Sequence, residues 1–219
     1  MLFAIGDIHD HFDKLTDLMG YCRNLAEEAE EQARFILLGD YVDRGPASNE
    51  VLAYLASYPD DVIALRGNHE DLLLRARDNP DDADLWHANG GLETLISYWA
   101  SSAAEIPAAH IDMVRSLPIF LDDGLRLFVH AGINVNDYDS RDPHVLLWTR
   151  KHPADSAVLP RFIVHGHTPT SNCKPDLRPN RLNLDTGAGF GRVLTAGVFQ
   201  EDIAPPLAFI DHTGNMKIP

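Results

Sequence analysis

Six short apolar runs punctuate this chain: Leu2 to Ile5, Phe35 to Leu38, Val62 to Leu65, Leu125 to Val129, Phe162 to Val164 and Leu182 to Leu184. Runs this short, bounded by glycine and polar clusters, read as buried strands. The clusters after five of them are unusual: GDIHD at 6–10, GDYVDRG at 39–45, RGNHE at 66–70, HAG at 130–132 and HGH at 165–167. Carboxylates and imidazoles at the rim of a core are costly unless they are paired or bind something. Strand ends that carry them repeatedly therefore have to meet.

The segments between the early strands read as helices, Phe12 to Glu31 and Asn49 to Tyr58, the second with Val51, Leu52, Leu55 and Tyr58 on one face. The order strand, helix, strand, helix, strand predicts an α/β fold with crossover helices on a largely parallel sheet, followed by a strand-rich C-terminal half. In such sheets the loops beyond the carboxyl ends of the strands converge on one crevice. Residues 78–107 read as a small helical insert near its mouth, with an Asn89-Gly90-Gly91 turn; Trp86, Trp99 and Trp148 read as packing anchors. At 219 residues with no linker-like stretch, the chain is expected to form one domain over 1–219.

The formal charge of −15 argues against a nucleic-acid or anionic-membrane partner. Part of that negative charge is free to serve cations. Cys22 and Cys173 are too few for a disulfide framework and lack zinc-ribbon spacing. With no secretory leader pattern and no apolar run long enough to span a membrane, a cytoplasmic monomer is expected.

The donor types suit a cation pair. Asp7 and His9 lie two apart on an extended stretch and can grip one ion; Asp40 can bridge to a second held by Asn68, His130 and His167. A carboxylate shared by two ions about 3.5–4 Å apart is the arrangement of dinuclear hydrolytic sites, where a hydroxide held between the ions is nucleophilic at neutral pH. Oxygen and imidazole donors without thiolate fit manganese, iron or zinc and do not choose among them; manganese is the first expectation, iron or zinc the alternatives. Arg44 and Arg66 are the first choices for holding phosphate oxygens. His69 is the candidate proton donor to a leaving alkoxide, with Asp43 holding its tautomer. His11, His87, His110, His144, His152 and His212 lack a ligand-like context.

Taken in order, GDIHD, GDYVDRG, RGNHE, HAG and HGH resemble the metal-dependent phosphoprotein phosphatases within the calcineurin-like metallophosphoesterases. LLWTR at 146–150, HGHTP at 165–169 and LDTGAG at 184–189 resemble the short bacterial and phage branch. The resemblance implies a four-layer α/β/β/α sandwich of two mixed sheets, two metals, and direct attack of water on a phosphoserine, phosphothreonine or phosphotyrosine ester in a protein or peptide, or on a small phosphoester. It adds Arg150 to the phosphate contacts, prefers His167 to His165 as ligand, and places His165 and Asp185 behind the ligands. One position departs: the family's GDxHG is GDIHD here, and Asp10 is expected to cap the following helix. A rival within the superfamily is the symmetrical dinucleoside tetraphosphate hydrolase, which resembles GDLVARG and lacks the Asp43 equivalent. A metal-binding recruitment module without catalysis is the alternative from another class.

Overall fold

The computed structural model describes residues 1–57 and 59–219, so the expected contribution of Tyr58 lies outside the described residues. Its first half runs β1 (Leu2–Ile5), α1 (Phe12–Glu28), β2 (Arg34–Leu37), α2 (Ser48–Ala56), β3 (Val62–Ala64) and α3 (Asn68–Asp78), as the alternation predicted. Short α4 (Ala83–Trp86), α5 (Leu92–Ser97) and α6 (Ala108–Ser116) come next. The remainder is β4 (Phe120–Asp122), β5 (Arg126–Val129), α7 (Pro143–Trp148), β6 (Phe162–His165), β7 (Asp176–Arg178), β8 (Arg181–Asn183), β9 (Thr195–Phe199), β10 (Ala208–Asp211) and β11 (Met216–Lys217).

Two mixed sheets result, ordered β11-β10-β9-β1-β2-β3 and β4-β5-β6-β8-β7. In the first, β1, β2 and β3 are parallel and β9 joins β1 antiparallel; in the second, β5, β6 and β8 are parallel. Strand alternation then builds the layers. Phe3, Ile5, Phe35 and Leu37 face the helices with Leu15, Leu18, Met19 and Cys22 of α1 and Val51, Leu52 and Leu55 of α2. Their neighbours Ala4, Ile36 and Leu38 point the other way and meet Phe128, Val164, Leu182 and Phe199 between the sheets. Leu127, Val129 and Ile163 pack outward against Leu146 of α7. This is the expected α/β/β/α sandwich, with β1 and β2 buried on both faces and the edge strand β3 partly exposed at Ile63.

The expected helical insert follows α3, with Gly90 at φ 109° kinking the chain between α4 and α5. Two expectations change. The tryptophans divide. Trp86 is fully buried, whereas Trp99, at the end of α5 with φ 53°, is 96% exposed and anchors nothing. Asp10 caps no helix either: α1 starts at Phe12, His11 holds the N-cap position, and no side chain satisfies it.

The reason lies in the backbone. Asp10 adopts φ 65° as its N–H reaches the Tyr41 carbonyl at 3.0 Å, which swings the side chain inward. There the carboxyl is wholly buried with no hydrogen-bond partner at normal distance. Burial raises its pKa well above the ordinary value, only partly offset by the Ser48 hydroxyl and the Gly45 amide. Such a group binds its proton more tightly folded than unfolded, so the fold weakens as pH rises above the ordinary aspartate range and on through the raised folded-state pKa. Asp10→Gly removes both the left-handed strain and the buried acid. Thermal unfolding of chelator-treated protein should show stabilisation of about 1–3 kcal/mol, larger at pH 8 than at pH 4.

Candidate metal centre

Every parallel strand delivers polar groups at its carboxyl end. Asp7 and His9 lie just beyond β1, Asp40 beyond β2, Arg66 and Gly67 beyond β3 and His130 beyond β5; His165 ends β6 with His167 past it, and Asp185 lies beyond β8. Asn68 and His69 differ from the expectation of a loop: they form the first turn of α3. The backbone is bent to bring these groups together. His9, Asp40, Asp43, Arg44 and His167 all hold left-handed φ, at 45°, 56°, 74°, 75° and 68°. Each such residue stores about 1–3 kcal/mol that the surrounding packing must hold. Gly67 and Gly166 serve close approach: a Cβ on either would collide with a carboxylate oxygen, of Asp40 and Asp7 respectively.

The donors converge in two groups that share one residue, His9–Asp40–His69 and Asp40–His130–His167, all buried. Hydrogen bonds set the imidazole tautomers. His130 Nδ1 donates to the Leu38 carbonyl at 2.8 Å, so its Nε2 lone pair faces Asn68 Oδ1 at 2.8 Å and Asp40 Oδ1 at 3.3 Å. His167 Nδ1 also lies 2.8 Å from Asn68 Oδ1, and its buried Nε2 has no partner. His9 Nδ1 donates to the Val42 carbonyl at 3.1 Å, leaving Nε2 turned toward Asp40 Oδ2 at 3.5 Å. Asp7 takes the His167 N–H on both oxygens at 3.0 Å and stands against Asp185, which accepts the Gly187 N–H at 3.0 Å.

Electrostatics give the cluster its meaning. Burial raises the pKa values of Asp7 and Asp40 well above the ordinary carboxylate range, reinforced at Asp7 by the charges of Asp185 and Asp40 and at Asp40 by those of Glu70 and Asp185, and burial raises that of Asp185 to about 6. Burial likewise lowers those of His9 and His130, and brings His165 to about 3 and His167 to about 4. Lone pairs and carboxylates thus converge where protons are disfavoured on the rings. Divalent cations relieve that arrangement, and the oxygen and imidazole donors fit them.

Beside the cluster, His69 Nδ1 bonds Asp43 Oδ2 at 2.7 Å. Asp43 is fully buried and also accepts from Trp86 Nε1 at 2.9 and 3.1 Å and from Thr94 Oγ1 at 2.7 Å. Burial pushes Asp43 up to about 7 and His69 down to about 3, the latter helped by the adjacent Arg44. The Arg44 guanidinium donates to His9 Nε2 at 2.8 Å and His69 Nε2 at 2.9 Å. The insert fixes it from behind, the Gly90 carbonyl accepting the Arg44 N–H at 3.1 Å. Arg150 is exposed but close enough to His167 to lower its pKa. Arg66 Nε is buried without a partner, and no hydrogen bond joins its guanidinium to the cluster among the described residues. A cavity of about 640 Å³ lined by Met1, Arg34, Ile63 and Arg126 touches none of these groups.

Sequence reasoning missed four residues that hold the site. Glu70 accepts the N–H groups of Tyr41 and Val42 on Oε1, at 2.6 and 3.2 Å, and those of Asp40 and Gly67 on Oε2, at 2.9 and 2.8 Å. Its signal is present in the sequence, since a glutamate at the third position of a helix commonly turns back on the preceding backbone. Trp86, Thr94 and Ser48, which bonds Thr94 Oγ1 at 2.9 Å, come from distant segments and carry no local signal. His152, without ligand-like context in the sequence, stacks on His165 at 4.5 Å.

Residues 2–193 match the family model described as calcineurin-like phosphoesterase, and the chain belongs to that family of metal-dependent phosphoester hydrolases. It is 32% identical to serine/threonine-protein phosphatase 1 of Salmonella typhimurium over 209 residues, covering 91% of this chain and 92% of the relative. It is 30% identical to the asymmetrical bis(5'-nucleosyl)-tetraphosphatase PrpE of Anoxybacillus flavithermus over 221 residues, 88% and 87% of the two chains. Among solved structures, a candidate diadenosine tetraphosphatase superposes with a TM-score of 0.68 at 20% identity, over 96% of this chain and 91% of that one, which establishes the common fold. No described helix is long and apolar enough to cross a membrane.

Proposed function

We propose that this enzyme is a dinuclear phosphomonoesterase acting on phosphoserine or phosphothreonine, with phosphotyrosine as a further substrate, within the short bacterial and phage branch, and that 1–219 act as one domain. The observation that carries this reading is the Asp43–His69 pair, 2.7 Å apart and fixed by Trp86 and Thr94. An alkoxide leaving group is strongly basic and needs a proton as it departs, which a positioned imidazole can give. A nucleotide leaving group is acidic enough to need little such help.

Asp7, His9 and Asp40 would hold one cation and Asp40, Asn68, His130 and His167 the other, manganese being the first choice. When bound, the ions supply Lewis-acid charge and lower the pKa of water. The chain's own residues do the rest. An arriving phosphate takes the Arg44 N–H groups from the two imidazoles, with Arg150 and Arg66 as further contacts. Losing Arg44 and gaining a nearby anion raises the pKa of His69, so its Nε2 takes up a proton from solvent and becomes the donor while Nδ1–H keeps donating to Asp43. His165 and Asp185 support His167 and Asp7 from behind.

The second reading is a dinucleoside tetraphosphate hydrolase, favoured by the likeness to a relative named as the asymmetrical enzyme rather than by the symmetrical pattern. Steady-state kinetics with manganese on a phosphoserine peptide and on diadenosine tetraphosphate decide between them. The proposal predicts the higher kcat/KM with the peptide; a strong preference for the dinucleotide overturns it.

A further inference from the structure

Phe190 takes no part in the core: 59% of its surface is exposed. Its position is nevertheless set with care. Residues Ala188–Phe190 form one tight turn between two left-handed glycines, Gly187 at φ 90° and Gly191 at φ 75°. The turn is closed by the Phe190 N–H on the Gly187 carbonyl at 2.9 Å and tied by the Gly187 N–H to Asp185, the carboxylate beside Asp7. Gly189 lies against the imidazole of His9 so closely that a Cβ there would strike the ring. Phe190 is thereby brought beside Arg44, whose guanidinium carbon lies 5.1 Å from the ring centroid.

The edges of that guanidinium, Nη1 and Nη2, are turned to His9 and His69, so the contact with Phe190 leaves both free to hand over to a phosphate. An exposed aromatic ring fixed at the lip of a strongly polar site offers a flat apolar surface next to whatever the phosphate is attached to. We propose that Phe190 is a stacking platform for an aromatic group carried by the substrate close to the phosphate held on Arg44. The ring then adds ground-state affinity for aryl or base-bearing phosphates over small alkyl ones, while turnover of phosphoserine and phosphothreonine still depends on His69. This rests on the phosphoesterase reading and on Arg44 as a phosphate contact.

Calorimetric dissociation constants for phenylphosphonate and methylphosphonate test it on the manganese-loaded protein, independently of turnover. Phe190→Ala should weaken phenylphosphonate about 3- to 10-fold and leave methylphosphonate unchanged, with Phe190→Tyr restoring the preference. Equal weakening of both ligands makes the ring a mere prop for Arg44 and overturns the proposal, as does no change in either. Phosphotyrosine and adenosine monophosphate then identify the source of the ring by which loses more on Phe190→Ala; a loss with neither also overturns it. Arg44→Ala separates the underlying reading: methylphosphonate affinity unaffected by that change removes Arg44 as the phosphate contact, whatever Phe190 does.

Discussion

Replacing His69 with asparagine lowers kcat for a phosphoserine peptide by about 10²- to 10⁴-fold, the usual worth of a positioned general acid, while the protein keeps both ions. The geometry favours that task. Asp43 holds Nδ1 at 2.7 Å, Trp86 and Thr94 hold Asp43, and Nε2 faces the groove where Arg44 now sits. Asparagine fills much of the same space and can still bond Asp43, but it gives no proton. The loss should shrink with p-nitrophenyl phosphate, whose leaving group is already acidic. Kinetics on both substrates, with metal content by elemental analysis, check the assignment. His69 lies 3.9 Å from Asp40, so loss of an ion on substitution would identify it as a ligand instead.

Glu70→Gln should cost about 2–6 kcal/mol of folding stability. Each carboxylate oxygen of Glu70 serves two backbone N–H groups of the segments that carry Asp40 and Asn68. Glutamine keeps one oxygen and turns an NH₂ toward the other pair, which leaves two buried donors facing a donor. Burial pushes Glu70 up to about 7, so urea unfolding belongs at pH 8 or above, where the carboxylate is ionised, and in chelator, where bound metal cannot mask the loss. A change below about 1 kcal/mol would falsify this role for Glu70.

The strands and their polar ends are legible in the sequence because both signals are local. Apolar runs give the strands, and a glycine beside aspartate or histidine marks each carboxyl end. Asp40, Asn68, His130 and His167 meet because parallel strands must deliver their loops to the same side. The features that escape depend on distant partners or on φ. Thr195–Phe199 pairs onto the edge of β1 from the far end of the chain, with Ala208–Asp211 paired on its other side, and with alanine and glycine inside it Thr195–Phe199 shows little strand pattern. Asp10 has the composition of a cap but not the backbone for one, since a cap requires an extended φ and its value is 65°. Trp86 looks like any core tryptophan until the insert folds its Nε1 onto Asp43.

The proposed chemistry depends on Asp40 joining two cation sites. Chelator-stripped protein titrated with manganese, followed by calorimetry and by release of inorganic phosphate from a phosphoserine peptide, measures this directly. The expected result is two ions bound per chain, no turnover without them, and loss of both turnover and at least one ion on Asp40→Asn. Turnover that persists in the stripped protein, or full activity with Asp40→Asn, would contradict it.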